Sequence, residues 1–353
     1  MASKPQAPKL DRDLLRQLPK AELHCHLDGS VRPQTLVDLG KEYGVAMPRS
    51  DAKSMRDFMT VRDAHNLEEY LERFTVTLSV MQTAAALERI AYELLEDAKR
   101  DGVLYLETRF SPVLNVHQGL TGDEVVTAVC RGLSRGEKDF GVTGRVIICA
   151  LRHLAPDTSL ELARLAVSFK DRGVVGFDLA GGEKGHPASA HKKAFEYALS
   201  HDLACTCHAG EGDGSESVRQ AVHVCGAHRI GHGTRLIEDK ALTDYVNDRR
   251  IPVEICITSN VQTHATESAE THPVRRYFDA GLNVVLNTDN RLMSDTTLTD
   301  EYTIAASRLG FSFDDLSKVA INGFESAFIH QADRQQLIER ARRIIADLKA
   351  KQS

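Results

Sequence analysis

Short apolar segments rich in β-branched residues alternate along this chain with longer segments of helical periodicity. A continuous apolar run of roughly four to eight residues favours a buried strand, whereas apolar positions that recur every three or four residues favour an amphipathic helix. The pattern predicts eight strands, at residues 21–27, 104–110, 145–151, 174–180, 203–209, 228–233, 252–258 and 283–289.

Helical segments fill the intervals between these strands. Gly102 marks the end of one of them, and the next begins where Thr121 stands three residues before Glu124, the spacing of a capping box. Eight strands alternating with helices favour an α/β fold with a parallel sheet, and eight strands close a (β/α)8 TIM barrel. An open doubly wound sheet is the alternative, but it favours a glycine-rich phosphate loop after the first strand, where this chain has HLDGS.

One interval is longer than the others. The segment between the first and second strands predicts extra helices, an insertion at about residues 30–100 beside the barrel mouth. No linker divides the chain, so residues 1–353 are predicted to form a single domain.

Composition narrows the class of protein. The 353 residues include 44 Lys+Arg and 50 Asp+Glu, a formal charge of −6 that is spread along the chain, so a nucleic-acid-binding surface is not expected. No apolar run approaches the roughly 20 residues of a membrane span, and the first segment lacks the apolar core of a secretory signal. The seven scattered cysteines suggest reduced thiols. We therefore expect a cytoplasmic protein without membrane or nucleic-acid partners.

Polar residues lie where the predicted strands end. In a (β/α)8 barrel the carboxyl ends of all the strands meet at the face that carries the chemistry. His24 and His26 end the first strand two residues apart, so their side chains point to the same face. Two polar residues on an edge strand would give the same pattern, but buried neutral imidazoles need partners, and one metal ion satisfies both.

Two later strand ends complete a possible metal site. His208 adds a third imidazole and Asp289 a carboxylate. Three histidines and one aspartate suit a single Zn²⁺ with a position left for water. Zinc lowers the pKa of such a water toward neutrality and so supplies a hydroxide nucleophile.

Three further residues are candidates for moving or orienting protons. Glu211, just past the fifth strand, is placed to donate and accept a proton, although a carboxylate at a helix N-terminus is the alternative. His232 lies between two glycines and is expected to orient the hydroxide or take its proton. Glu254 is predicted to bond the other ring nitrogen of His232 and fix its tautomer.

Seven motifs of the chain resemble, in order, those of adenosine deaminases: KAELHCHLDGS, GEKDFGV, DLAGGE, CHAGEG, RIGHGTRL, EICITSN and LNTDN. The resemblance runs from about residue 18 to about residue 335. It implies a zinc enzyme of purine salvage that deaminates adenosine, and also 2′-deoxyadenosine, to inosine and ammonia. His24, His26, His208 and Asp289 would bind the zinc ion, one per chain, in a monomer or weak homo-oligomer.

The resemblance also implies roles for residues around the substrate. Glu211 would protonate purine N1, and His232 would steer the attacking water while Asp289 accepts its proton. Asp28 would bind the ribose 5′-hydroxyl, and the backbone N–H of Gly181 would meet purine N3. The apolar helix that closes over the sugar and base would carry three of the contacts, namely Tyr70, Leu71 and Phe74.

One position departs from the family's pattern. The family often has a second aspartate that binds purine N7, and this chain has Asn290 there. An amide NH₂ donates a hydrogen bond as a protonated Asp would, so the chemistry is expected to survive while substrate preference stays open. Adenine, aminofutalosine and an N6-substituted adenine nucleoside or nucleotide are the alternatives. The carboxylate of Asp28 would repel a 5′-phosphate and so favours a nucleoside.

Other classes fit the sequence less well. A binuclear barrel hydrolase typically has a bridging lysine at the end of the fourth strand, where this chain reads DLAG. A small cytidine-type deaminase needs Cys-x-x-Cys and His-x-Glu motifs. A catalytically inactive nucleoside-binding protein would not need all four ligands with Glu211 and His232. The cysteines beside His208 are expected to be core residues, His153 is a candidate pocket residue, and His272 is assigned no role.

Overall fold

The computed structural model describes residues 10–62, 65 and 67–351, and the remainder of the predicted domain at 1–353 lies outside the described residues. Eight parallel strands, β1 to β8, follow one another round the sheet in chain order. The (β/α)8 barrel predicted from the sequence is confirmed. The strands span Lys20–His26, Val103–Phe110, Thr143–Leu151, Val174–Ala180, Ala204–Ala209, Arg229–His232, Val253–Ile255 and Val284–Leu286.

The barrel closes where the chain beyond β8 meets β1. Asp289 pairs with Cys25 in a parallel bridge, in which the His26 N–H donates to Asp289 O at 2.7 Å and the Asp289 N–H donates to His24 O at 2.9 Å. The side chain of Asn287 replaces part of the backbone pairing, because its Oδ1 accepts the N–H of Leu23 at 2.8 Å. Closure therefore ties Asp289 directly to the strand end that carries His24 and His26.

Helices surround the barrel and cover its mouth. The α-helices of the described residues, α1 to α16, span Arg12–Gln17, Pro33–Tyr43, Ala52–Met59, Leu67–Leu71, Phe74–Val80, Ala84–Arg100, Gly122–Phe140, Pro156–Ser168, Lys192–Ser200, Ser215–His223, Lys240–Asp248, Ile257–Gln262, Val274–Asp279, Leu298–Leu309, Phe313–Ser326 and Gln331–Ala350. Short 3₁₀ turns lie at Pro112–Asn115, Lys170–Arg172, Ala188–His191 and Leu236–Glu238. None of the described helices is long and apolar enough to cross a membrane.

The extra helices predicted between the first two strands are confirmed as α2 to α6. The predicted capping box is also present, since Thr121 accepts the backbone N–H of Glu124 and the Glu124 carboxylate accepts the N–H of Thr121 at 2.8 Å. Such reciprocal bonds satisfy N–H groups that the first helical turn leaves without partners.

The ends of the seventh and eighth strands were predicted too late in the chain. β7 ends at Ile255, and α12 begins two residues later. The predicted strand ran too far because an apolar run of this length does not distinguish a strand from a buried helix. β8 ends at Leu286, since the Asn287 side chain takes over the pairing and Asp289 adopts a left-handed backbone with φ 61°. These early ends bring a helix and a turn to the barrel mouth.

Candidate metal centre and active site

The predicted metal ligands meet at one mouth of the barrel. His24 Nε2 and His26 Nε2 each lie 3.3 Å from Asp289 Oδ1, and His26 Nε2 lies 3.1 Å from His208 Nε2. His24, His208 and Asp289 are buried, and the side chain of His26 is 13% exposed. Four side chains from three different parts of the chain thus converge on one point.

A second group of four is also compact, with His232 in place of His26. One possible ligand atom from each of His24, His208, His232 and Asp289 lies within 4.8 Å of all the others. The amide Nδ2 of Asn260, however, lies 2.9 Å from His232 Nδ1, and His232 Nε2 faces a carboxylate oxygen, Glu211 Oε2, at 3.4 Å. Because both nitrogens of His232 have other neighbours, His26 is the better candidate ligand.

Two buried carboxylates orient the imidazoles from beneath. Glu254 Oε2 lies 2.8 Å from His24 Nδ1, and Asp178 Oδ1 lies 3.2 Å from His208 Nδ1. An ionised carboxylate only accepts hydrogen bonds, so each imidazole donates from Nδ1, and the neutral ring keeps a bare lone pair on Nε2. Both lone pairs then face the same point as the Asp289 carboxylate, an arrangement that a cation stabilises.

The predicted partner of Glu254 is wrong: Glu254 contacts His24, not His232. Glu254 lies opposite Gly231 in the β6–β7 register, and its side chain reaches across the barrel interior to β1. His232 has a left-handed backbone, φ 60°, and its ring meets Asn260 of α12 instead. That Glu254 supports an imidazole stays a prediction, and the imidazole concerned is that of His24.

Arginines hold the two supporting carboxylates. Arg109 is completely buried, with Nη1 2.8 Å from Asp178 Oδ2 and Nη2 2.9 Å from Glu254 Oε2. Arg229 lies 2.6 Å from the other oxygen of Glu254. Burial alone would raise the pKa of Glu254, but Arg109 and Arg229 hold that pKa well below its usual range. Glu254 therefore stays ionised and accepts a hydrogen bond from His24 Nδ1–H.

The donor set fits a zinc ion. His24 Nε2 is buried and has no hydrogen-bond partner of acceptable geometry, although Asp289 Oδ1 is near. Ser259 Oγ donates to Asp289 Oδ2 at 2.6 Å, which leaves Oδ1 facing the imidazoles. Imidazole nitrogens and one carboxylate oxygen are the ligands that zinc takes in catalytic sites.

Glu211 lies in the loop between β5 and α10, buried beside His232. Thr263 Oγ1 donates to Glu211 Oε1 at 3.1 Å, and the side chain lines a cavity at the barrel mouth. α10 begins only at Ser215, so Glu211 does not lie in its first turn. The alternative of a carboxylate that merely complements a helix N-terminus is not supported.

A residue that the sequence did not single out holds this loop. The buried carboxylate of Glu183 accepts four consecutive backbone N–H groups, from residues 210–213, at 2.6–3.1 Å. Such a set of amides fixes the loop conformation and hence the position of Glu211. Its place in the DLAGGE motif was the available signal.

A cavity of about 320 Å³ opens beside the cluster, a size in the range of small-molecule sites. Tyr70, Leu71 and Phe74 line it, but they belong to two short helices, α4 and α5, rather than to one. His153 and Gly181 also line it, the latter with φ 93°, which glycine tolerates best. A larger groove, about 820 Å³, lies at the opposite end of the barrel and contains none of the predicted site residues.

Two buried oxygen atoms that face the cavity lack hydrogen-bond partners. Asp28 Oδ1 and Asn290 Oδ1 are both buried without a hydrogen bond, and burial raises the pKa of Asp28 to about 7. A ligand hydroxyl supplies the donor that Asp28 lacks. Asn290 packs against Gly29, since a Cβ at that glycine would lie 1.8 Å from Asn290 Oδ1.

The fold and these convergent groups are those of a (β/α)8-barrel hydrolase. The family model described as adenosine deaminase matches residues 19–344. The adenosine deaminase of Mycobacteroides abscessus is 43% identical over 94% of this chain and 96% of its own, and that of Mycobacterium marinum is 42% identical over 93% and 95%. The chain belongs to the adenosine deaminase family.

Solved structures of other deaminases have the same fold as this chain. The adenine deaminase of Arthrobacter aurescens is 26% identical and superimposes with a TM-score of 0.87 over 93% of this chain and 99% of its own. The N6-methyl-AMP deaminase of Arabidopsis thaliana is 28% identical, with a TM-score of 0.82 over 96% and 98%. This barrel therefore carries enzymes named for different 6-aminopurines.

Gly231 provides a test of the cluster geometry. A Cβ at this position would lie 3.0 Å from His208 Cα and 3.1 Å from His24 Cε1, so Gly231→Ala should push two of the imidazoles apart. We expect zinc affinity, measured by competition with a chromophoric chelator, to fall on the order of 10–100-fold, as when groups next to metal ligands are disturbed.

The matched control is Gly122→Ala, whose added methyl group would meet only the end of the Leu165 side chain, at 3.1 Å. This variant should bind zinc as the unchanged protein does. Equal zinc affinity in Gly231→Ala would contradict the close packing of the imidazoles against β6.

Proposed function

We propose that this protein is a zinc-dependent aminohydrolase that converts adenosine, and also 2′-deoxyadenosine, to inosine and ammonia in purine salvage. One observation supports this most strongly. A cavity of about 320 Å³ at the barrel mouth is lined by His26, His208 and Asp289, by Glu211, and by Asp28, whose buried Oδ1 has no hydrogen-bond partner. The relatives at 42–43% identity, which are named adenosine deaminases, support the choice of substrate.

One zinc ion per chain would be held by His24, His26, His208 and Asp289. When bound, zinc supplies the Lewis acidity that makes a water molecule nucleophilic near neutral pH. Asp289 is suited both to bind the metal and to accept a proton. Its Oδ1 faces the imidazoles, and its Oδ2 accepts a hydrogen bond from Ser259. Glu254 and Asp178 support the ligands by fixing the tautomers of His24 and His208.

The protein groups account for the proton movements. Glu211, in its protonated form, donates to purine N1, which makes C6 more electrophilic. Water oxygen adds to C6 as Asp289 takes a proton from it. The C6–N6 bond then breaks as Asp289 passes that proton to the departing nitrogen, which leaves as ammonia. The proton of the new C6 hydroxyl returns to Glu211, so that both carboxyl groups regain their starting forms. The sum is one nucleoside and one water consumed, with one inosine and one ammonia formed.

The remaining contacts orient the nucleoside. Asp28 accepts the 5′-hydroxyl, the N–H of Gly181 meets N3, and the amide of Asn290 donates to N7, while Tyr70, Leu71 and Phe74 exclude water. Asn290 carries N–H donors at every pH, so this contact needs no protonated carboxyl group.

The buried Asp28 argues against two other substrates. A 5′-phosphate would meet Asp28, which is ionised above its pKa of about 7, in a site of low dielectric constant, and free adenine would leave Asp28 Oδ1 without a donor. The proposed substrate is therefore the nucleoside. The cytoplasmic location and the monomeric or weakly associating state stay predictions.

The function is tested by an ultraviolet time course with purified zinc-loaded protein on adenosine, adenine and N6-methyl-AMP. We expect rapid conversion of adenosine to inosine, loss of activity after chelation, and its return with zinc. Adenosine should be the best of the three substrates because it alone offers Asp28 a hydroxyl without a phosphate. Zinc-loaded protein that leaves adenosine unchanged but converts another 6-aminopurine would contradict the proposed substrate.

Glu211→Gln tests the proton donor. The amide keeps the shape but cannot deliver a carboxyl proton, so kcat for adenosine should fall about 10²–10⁴-fold, the usual contribution of a general acid. Zinc content, measured by atomic emission, should be unchanged, because Glu211 is not a proposed ligand.

The control is Glu216→Gln on α10, where the side chain is 71% exposed. Its kcat should equal that of the unchanged protein. Near-normal turnover by Glu211→Gln would remove Glu211 from the proposed mechanism.

A further inference from the structure

A series of hydrogen bonds connects the backbone N–H of Val274 to His232 through the side chains of His272 and Asn260. His272, in the loop before α13, is buried, and its Nδ1 accepts the N–H of Val274 at 3.1 Å. A backbone amide only donates, so His272 Nδ1 carries no hydrogen. Burial also lowers the pKa of His272 to about 3, which keeps this ring neutral. The hydrogen of His272 is therefore on Nε2.

Asn260 continues the hydrogen bonds in the same direction, since it accepts from His272 and donates to His232. His272 Nε2 lies 3.2 Å from Asn260 Oδ1, so the amide oxygen is the acceptor and the orientation of the amide group is determined. The amide nitrogen, Nδ2, then faces His232 Nδ1 at 2.9 Å and donates to it. Asn260 is completely buried in α12, and its own backbone is held because its carbonyl accepts the N–H of Thr266 at 3.0 Å.

The last acceptor in the chain decides the tautomer of His232. Because His232 Nδ1 accepts a hydrogen bond from Asn260, the ring hydrogen is on Nε2, the nitrogen 3.4 Å from Glu211 Oε2. The ring is packed among the other imidazoles, with centroids 4.8 Å from His24 and 5.1 Å from His208. Its Nε2–H is directed into the site.

We propose that Asn260 and His272 are positioning residues that hold His232 as the Nε2–H tautomer, so that His232 donates a hydrogen bond to the attacking water and does not take its proton. The effect on turnover rests on the proposed function, whereas the tautomer does not. The same tautomer leaves no lone pair on Nε2 for a metal, which agrees with His26 as the ligand. Proton acceptance then falls to Asp289.

The tautomer is measured directly in zinc-loaded protein with ¹⁵N-labelled histidines. Two-bond ¹H–¹⁵N correlation spectra distinguish the tautomers, and a His232→Gln variant assigns the signals. We expect a protonated Nε2 and a bare Nδ1 in His232. A hydrogen on Nδ1 of His232 in the unchanged protein would overturn the proposal, whatever the activity. The spectrum reports the tautomer even if the protein does not turn over adenosine, so this test is independent of the proposed function.

Asn260→Asp is the decisive variant. A carboxylate accepts from both neighbours, so His232 must donate from Nδ1 and the spectrum should show the opposite tautomer. We expect kcat to fall about 10–100-fold, with KM changed less, as is usual when a group that orients a site residue is altered. A fall in kcat with the tautomer unchanged would make Asn260 merely structural and contradict the proposal.

His272 offers a second test that does not depend on the folding of Asn260→Asp. In His272→Gln an amide N–H replaces the Nε2–H, so the tautomer of His232 and kcat should both be retained. In His272→Leu the donor is lost, and a mixture of tautomers with reduced kcat is expected. Identical spectra and kcat in the two variants would contradict a role for His272.

The matched control is Asn322→Asp. Asn322 is also buried and donates from Nδ2 to a backbone carbonyl, that of Val284, at 3.1 Å. It lies in α15, away from the cavity lining. This variant should leave the spectrum of His232 and kcat unchanged even if it lowers the melting temperature.

Discussion

The site depends on Arg109, which lies between two carboxylates in the interior of the barrel. Asp178 and Glu254 lie 2.8 and 2.9 Å from the guanidinium. Burial alone would raise the pKa of each carboxyl, but His208 and Arg109 lower the pKa of Asp178, and Arg109 and Arg229 lower that of Glu254. The ionised carboxylates accept hydrogen bonds from Nδ1–H of His24 and of His208. The Nε2 lone pairs of both rings therefore face one point, and a cation is the group that satisfies them.

Two residues at the mouth of the barrel have a strained backbone conformation. His232 and Asp289 adopt left-handed conformations, with φ of 60° and 61°, which cost on the order of 1–3 kcal/mol each where nothing compensates. Each is held by a side-chain hydrogen bond from the same short helix, α12, through Asn260 and Ser259. One turn of helix thus positions the proposed metal ligand Asp289 and the imidazole beside it.

The sequence predicted the barrel and the convergence of His24, His26, His208 and Asp289, because strand order and the two-residue side-chain period determine which strand ends meet. It assigned Glu254 the wrong imidazole, since a contact across the barrel depends on side-chain direction and on the left-handed backbone that follows β6. His272 had no signal in the sequence, because its role depends on loop geometry and on one backbone amide.

The proposed zinc site can be observed by anomalous diffraction at the zinc absorption edge, from crystals of the zinc-loaded protein. We expect one strong peak per chain, roughly 2.0–2.2 Å from the Nε2 atoms of His24, His26 and His208 and from a carboxylate oxygen of Asp289, with His232 outside bonding distance. A peak bonded to His232 in place of His26, or two metal ions in the site, would contradict it.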